Sequence, residues 1–136
     1  MIQTSTNIRV RYAETDKMGF AHHQNYVAYF EEARVDFLDK IGVPYAQLEA
    51  NDCFMPVLEI HIQYIKSNTF DDVLTVNCFL DELPKAKFKI RYEVYRDGEL
   101  TTKGNSLHCF MNQQGRAIRP DKRLMDIIVE RFKNPS

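Results

Sequence analysis

The sequence predicts a single α+β domain in which a curved antiparallel sheet wraps one long central helix, with a short second helix at the C-terminus. Three observations lead there. Residues Asn25 to Ile41 carry apolar side chains at helical spacing. The stretch from Met55 to Met111 alternates polar and apolar residues, with turn signals between the runs. The 136 residues suit one domain, 1-136, able to bury roughly two-thirds of its unfolded surface. A helix of that length spans ~25 Å and a ten-residue strand ~33 Å, so one helix can lie along a sheet in which strands outnumber it. Curling the sheet around the helix is the economical packing.

The first strand is expected over about Thr6 to Tyr12, where Ile8, Val10 and Tyr12 alternate with Asn7, Arg9 and Arg11. A glycine-containing loop follows. From Asn25 the period changes, and Tyr26, Tyr29, Phe30, Ala33, Phe37, Leu38 and Ile41 form one helical stripe. Gly42 and Pro44 supply the cap and breaker that stop it. In the next run Leu58, Ile60, Ile62 and Tyr64 alternate with Glu59, His61 and Gln63. After an Asp71-Asp72 turn, Val73 to Leu83 places Leu74, Val76, Cys78 and Leu80 on one face. Phe88, Ile90, Tyr92 and Val94 share a face of the strand Lys87 to Arg96, and Asp97-Gly98 is a two-residue hairpin signal. A last strand passes Leu107 and Phe110 to a turn at Gly115, and Leu124, Ile127, Ile128 and Phe132 mark the closing amphipathic helix. A free outer edge of such a sheet invites pairing with a second copy, so a homodimer is expected.

Composition narrows the function classes. A net charge of -1 argues against a general nucleic-acid binder. No segment approaches the ~20 apolar residues of a membrane span, and no basic-then-apolar leader opens the chain, so a soluble cytoplasmic protein is expected. Cys53, Cys78 and Cys109 are odd in number and widely spaced, which favours reduced thiols over disulfides or zinc.

The loop before the helix carries the chemistry. Asp16 sits in a tight turn with Gly19, directly ahead of a helix start whose free N–H groups can receive an oxyanion. Asp is also a common turn former, and Glu14 is the nearest rival acid. His22 and His23 are adjacent and are expected to point apart, which disfavours a shared metal. His61 and His108 fall in strands, where hydrogen-bonded structural roles are usual, and Cys109 alternates away from His108. Lys85, Lys87, Lys89 and Arg91 recur every second residue, forming a basic stripe that an anionic ligand such as the phosphates of coenzyme A would relieve. Lys66 and Ser67 can add donors to the same ligand, and Tyr26, Tyr29 and Phe54 can line an aromatic or an aliphatic pocket.

The pattern Tyr12-x-x-Thr15-Asp16-x-x-Gly19-x-x-x-His23-x-Asn25-Tyr26, followed by the aromatic helix, resembles the hot-dog-fold acyl-CoA thioesterases of the 4-hydroxybenzoyl-CoA thioesterase type, especially the bacterial branch with a histidine in the signature. The resemblance extends through Asp71-Asp72-Val73 and the successive strands. It implies a five-stranded antiparallel sheet around a long helix, and homodimers or homotetramers with active sites between subunits. It also implies that Asp16 is the catalytic carboxylate and that the His23 backbone N–H polarises the thioester carbonyl. Lys66, Ser67, Lys85 and Lys87 fall in the regions that meet coenzyme A, which enters as part of the substrate and not as a cofactor. Glu14 stands where many relatives have Asp, and Ala21 and His22 where they have aromatic or aliphatic residues, so substrate preference does not transfer. The expected reaction is hydrolysis of an acyl thioester carried by coenzyme A or acyl carrier protein. The alternatives are a hydratase or dehydratase on such thioesters, which would need an acid–histidine dyad across the pocket, and a non-catalytic acyl-CoA or acyl-carrier binding module.

Overall fold

The computed structural model describes residues 1–134. Its elements run β1 (Ile2–Arg9), a single 3-10 turn (Tyr12–Glu14), α1 (Asn25–Ile41), α2 (Tyr45–Ala50), β2 (Val57–Tyr64), β3 (Val73–Leu80), β4 (Lys87–Arg96), β5 (Glu99–Cys109) and α3 (Lys122–Lys133). The strands form one antiparallel sheet in the order β1-β3-β4-β5-β2, so β1 and β2 are its edges.

Helix α1 occupies the expected span, and all seven residues of its apolar stripe are buried. Gly42 ends it at φ +99, where only glycine is unstrained, and the Val43 N–H returns to the Leu38 carbonyl. The stripe faces Leu74, Val76, Cys78 and Leu80 of β3 and Ile90, Tyr92 and Val94 of β4, all buried. At the centre the Phe30 and Tyr92 rings stack with centroids 4.2 Å apart. Burying each large side chain of this set contributes roughly 1.5–3 kcal/mol, so the helix–sheet interface is the main source of stability.

Two expectations are corrected. The first strand starts at Ile2 and ends at Arg9 instead of spanning Thr6 to Tyr12. After Val10 has exchanged bonds with Asp71 and Asp72, the chain turns at Arg11 into the 3-10 turn. The third strand stops at Leu80, because Asp81 turns away to pair with Arg91. Short α2, held by buried Leu48, was not anticipated. Among the described residues no helix is long and apolar enough to cross a membrane.

Edge strand β2 is open. Val57, Leu58 and Tyr64 are exposed, and only Ile60 and Ile62 are half-buried. At the opposite edge β1 packs against α1 and α3.

Candidate active site

The loop between β1 and α1 is built around two carboxylates. The Asp16 side-chain oxygen Oδ1 accepts from the backbone N–H of Met18 at 2.9 Å and of Phe20 at 3.1 Å. The Asp16 N–H donates to Phe20 O at 2.8 Å, and the Gly19 N–H donates to Asp16 O at 3.0 Å. Gly19 stands at φ +83, which closes the turn without the strain a Cβ would add. Asp16 is therefore a turn former, yet its second oxygen makes no bond to the protein among the described residues.

Glu14 differs. Oε1 accepts from the Arg11 N–H at 2.8 Å and from Tyr29 Oη at 2.9 Å, while Oε2 pairs with Arg11 Nε at 3.0 Å. Burial pushes its carboxyl up, but these hydrogen bonds together hold it below the usual glutamate range. Its main-chain carbonyl takes the His22 N–H at 2.7 Å and Asn25 Nδ2 at 2.8 Å. Glu14 fixes the loop onto the helix.

The start of α1 is uncapped. Gln24 at the cap position makes no side-chain bond, and the first turn holds no acid. The Tyr26 and Asn25 N–H groups close back on the His23 and His22 carbonyls, but the His23 N–H finds no protein acceptor among the described residues. A free N–H at the positive end of a 17-residue helix attracts negative charge. The His22 and His23 rings stack with centroids 4.3 Å apart, contrary to the expectation that they point apart. They lie in an irregular loop, where neither strand alternation nor helical spacing applies. No group of three metal-ligating side chains exists among the described residues.

Asp16, Phe20, His23 and Tyr26 share a cleft of ≈ 280 Å³ with Tyr64, Ile65, Lys66 and Ser67. Tyr64 closes the wall, donating from Oη to the His23 carbonyl at 3.2 Å and meeting the Tyr26 ring edge to face at 5.1 Å. Lys66 is ion-paired with Glu99 at 2.7 Å, and the Ser67 carbonyl accepts from Arg96 at 2.6 Å. The loop, the helix start and the β2–β3 turn thus meet, bringing Asp16, His23, Tyr26, Lys66 and Ser67 together around the cleft, while Gly19 stays in the turn that carries Asp16 and does not line it.

Lys85 and Lys87 are not part of this cleft. They line a separate groove of ≈ 400 Å³ with Glu82, Lys89 and Asn105. Arg96 at the end of β4 touches Ser67, while Lys87 begins the strand nine steps earlier, ~30 Å away. The stripe is also less repulsive than its sequence implies, since Arg91 pairs with Asp81 and Glu93 and lies over the Phe79 ring. Phe54 bridges to Met111, and neither it nor Tyr29 lines the Asp16 cleft.

His108 is fully buried, with Nε2 2.7 Å from Ser106 Oγ, which in turn meets Tyr92 Oη at 2.7 Å. Burial, helped by the nearby Arg34 charge, pushes its imidazole down to about 4. It is a structural histidine, as the strand position predicts. Tyr64, which lines the cleft, and Asn68, buried behind it, carry no sequence signal beyond a strand end and a polar turn.

Residues 10–130 match the thioesterase-like superfamily. A provisionally named esterase of Aquifex aeolicus is 34% identical over 88% of this chain and 93% of its own length. A crystal structure of a hypothetical protein from Thermus thermophilus superposes with a TM-score of 0.89 at 38% identity, covering 95% of this chain and 97% of that one. A DHNA-CoA thioesterase from Staphylococcus aureus superposes at 0.88 with 32% identity, covering 98% of this chain and 95% of that one. The five-stranded sheet around α1 is the hot-dog architecture of these structures.

Proposed function

Because this chain belongs to the thioesterase-like superfamily, we propose that it is an acyl-CoA thioesterase, hydrolysing acyl-CoA to free acid and coenzyme A with Asp16 as the reacting carboxylate. One observation carries the reading. Among the described residues, Asp16 has a carboxylate oxygen without a protein partner and His23 a helix-start N–H without a protein acceptor, and both residues line the same cleft. One can supply the nucleophile or base and the other the oxyanion donor, the two functions acyl transfer requires.

In this mechanism the thioester carbonyl oxygen faces the His23 N–H and the dipole of α1. Asp16 either attacks the carbonyl carbon, giving a mixed anhydride that water opens, or takes a proton from the attacking water. In both routes the C–S bond breaks and the thiol leaves. A thioester is reactive enough that no serine–histidine–acid triad is needed. Gly19 shapes the turn that presents Asp16, the Tyr26 ring walls the pocket, and Lys66 and Ser67 flank the pantetheine arm. Coenzyme A enters only as part of the substrate. Acyl carrier protein is the alternative carrier.

The remote Lys85 and Lys87 fit this scheme in a homodimer or homotetramer. Pairing of open β2 edges about a twofold axis reverses strand direction. The partner's Lys87 end of β4 then falls beside this chain's cleft, three strand spacings or ~15 Å from β2. There the two lysines can receive the nucleotide phosphates. The test is thiol trapping over a panel of short-chain, long-chain and aromatic acyl-CoA thioesters. Turnover of at least one supports the assignment, and silence across the panel, with coenzyme A esters bound but intact, would make the protein a binding module.

A further inference from the structure

We propose that the Tyr26 hydroxyl, beyond forming the pocket wall, is a second hydrogen-bond donor to the substrate's thioester carbonyl oxygen. The inference rests on the hydrolytic reading of the same cleft. It follows from proton accounting behind the pocket. Asn68 is fully buried, and its Nδ2 lies 2.9 Å from Tyr26 Oη and 3.1 Å from Thr101 Oγ1. Thr101 gives its own proton to the Val94 carbonyl at 3.3 Å, so towards Asn68 it can only accept. Arg96, which has no acceptor, faces Asn68 Oδ1 at 3.5 Å. Both neighbours therefore fix the amide with its NH2 group towards Tyr26.

Tyr26 Oη must then accept from Asn68, which leaves its own proton free. No acceptor for that proton lies within hydrogen-bonding distance among the described residues, although Tyr26 is only 2% exposed. A buried hydroxyl ordinarily finds an acceptor. Tyr26 lines the cleft together with Asp16 and His23, so the cleft is where a ligand oxygen can meet its hydroxyl. Among the atoms of an acyl thioester, sulfur accepts hydrogen bonds weakly and the carbonyl oxygen well. The same oxygen gains negative charge as a nucleophile adds to its carbon. The phenol keeps its proton throughout. It stabilises the oxyanion, which collapses as the C–S bond breaks. Asn68 is then a positioning residue, fixing the hydroxyl lone pair so that the O–H points forward. It also ties the loop in place, since the Ala21 N–H donates to the Asn68 carbonyl at 2.7 Å.

The experiment compares the full chain with Tyr26→Phe on hexanoyl-CoA and benzoyl-CoA. It also measures binding of two inert analogues of each, one with CH2 replacing sulfur and one with CH2 replacing the carbonyl. The expected result is a fall in kcat of about 10²-fold. Binding of the ketone analogue should weaken while the carbonyl-free thioether binds as before, which a merely structural role would not produce. An unchanged kcat, or equal weakening of both analogues, overturns the proposal. If the unaltered protein hydrolyses neither ester yet binds the ketone in a Tyr26-dependent way, hydrolysis fails and the donor stands; if binding ignores Tyr26, both fail. Should Tyr26→Phe not fold, 3-fluorotyrosine at position 26 keeps ring and acceptor while raising acidity. Turnover and ketone binding that ignore that acidity overturn the proposal.

Discussion

Glu14 and Asp16, separated by Thr15, are committed differently: both Glu14 oxygens are bonded within the protein, whereas Asp16 uses one oxygen for its turn and leaves the other without a partner among the described residues. The difference separates a structural acid from a chemical one. Asp16→Asn retains an oxygen for the Met18 and Phe20 N–H groups, so the turn and the melting temperature should persist. Thiol release should fall ~10²-fold or more, because an amide is neither base nor nucleophile. Glu14→Gln should show the reverse emphasis. It weakens charge-assisted bonds to Arg11 and Tyr29 and costs about 1–3 kcal/mol in urea unfolding. Near-normal turnover in Asp16→Asn would remove Asp16 from the mechanism.

Gly104 marks where the sheet touches the central helix. A Cβ there would lie 2.9 Å from Phe30 Cε2 and would also meet the His61 carbonyl. Backbone on one side and a buried ring on the other leave no room, and Phe30 cannot retreat without breaking its stack on Tyr92. Gly104→Ala should destabilise by roughly 1–3 kcal/mol, the usual cost of overpacking, seen as an earlier urea midpoint. An unchanged midpoint would mean that α1 rides further from the sheet than the contact implies.

Legibility in the sequence followed the strength of each local signal. Helix α1 and strand β4 could be bounded because periodicity and punctuation coincide there: Gly42 after Ile41, and Asp97-Gly98, both at positive φ, after Arg96. Strand β1 was misplaced because Thr4 and Thr6 take inward positions that apolar residues would have marked, Thr6 bonding Asp36 there. Helix α2 has six residues and one buried side chain, too few to show a period. At the site, Asp16, Gly19 and His23 belong to one contiguous motif and could be read together. Tyr64 and Asn68 come from a strand end and a turn some forty residues on, and only folding sets them against His23 and Tyr26.

Stability should depend on pH through His108. In the unfolded chain its imidazole titrates near the ordinary value of 6.5, and in the fold near about 4. The native state therefore binds fewer protons across that window, and stability falls as pH drops through it; the contribution is complete above 6.5. Between pH 7 and pH 5 the loss should be roughly 2 kcal/mol. Carboxylates held low, such as Glu14 and Asp36, release their contributions further down, as pH falls below the ordinary carboxylate range. Urea unfolding at both pH values should show the loss in the unaltered protein and much less of it in His108→Asn. Parallel pH dependence in the two would assign the effect elsewhere.

The separation of Lys87 from Asp16 along β4 makes subunit sharing testable. If the partner's Lys87 serves this chain's cleft, Lys87→Glu should raise KM for acyl-CoA while hardly affecting a short pantetheine thioester, which lacks the nucleotide phosphates. Each substitution damages both sites of a homodimer. In a heterodimer of one Asp16→Asn chain and one Lys87→Glu chain, however, one site combines an intact Asp16 with an intact Lys87, and the other has neither. Mixing and reassembling the two variants should therefore restore up to about half of normal turnover per heterodimer, with a normal KM. Replacing Val57 and Leu58 on the open edge by Lys should abolish both the dimer, measured by light scattering, and this complementation. If the mixture shows only the sum of its separate activities, each chain carries its own complete site, and the lysine stripe plays no part in holding the phosphates.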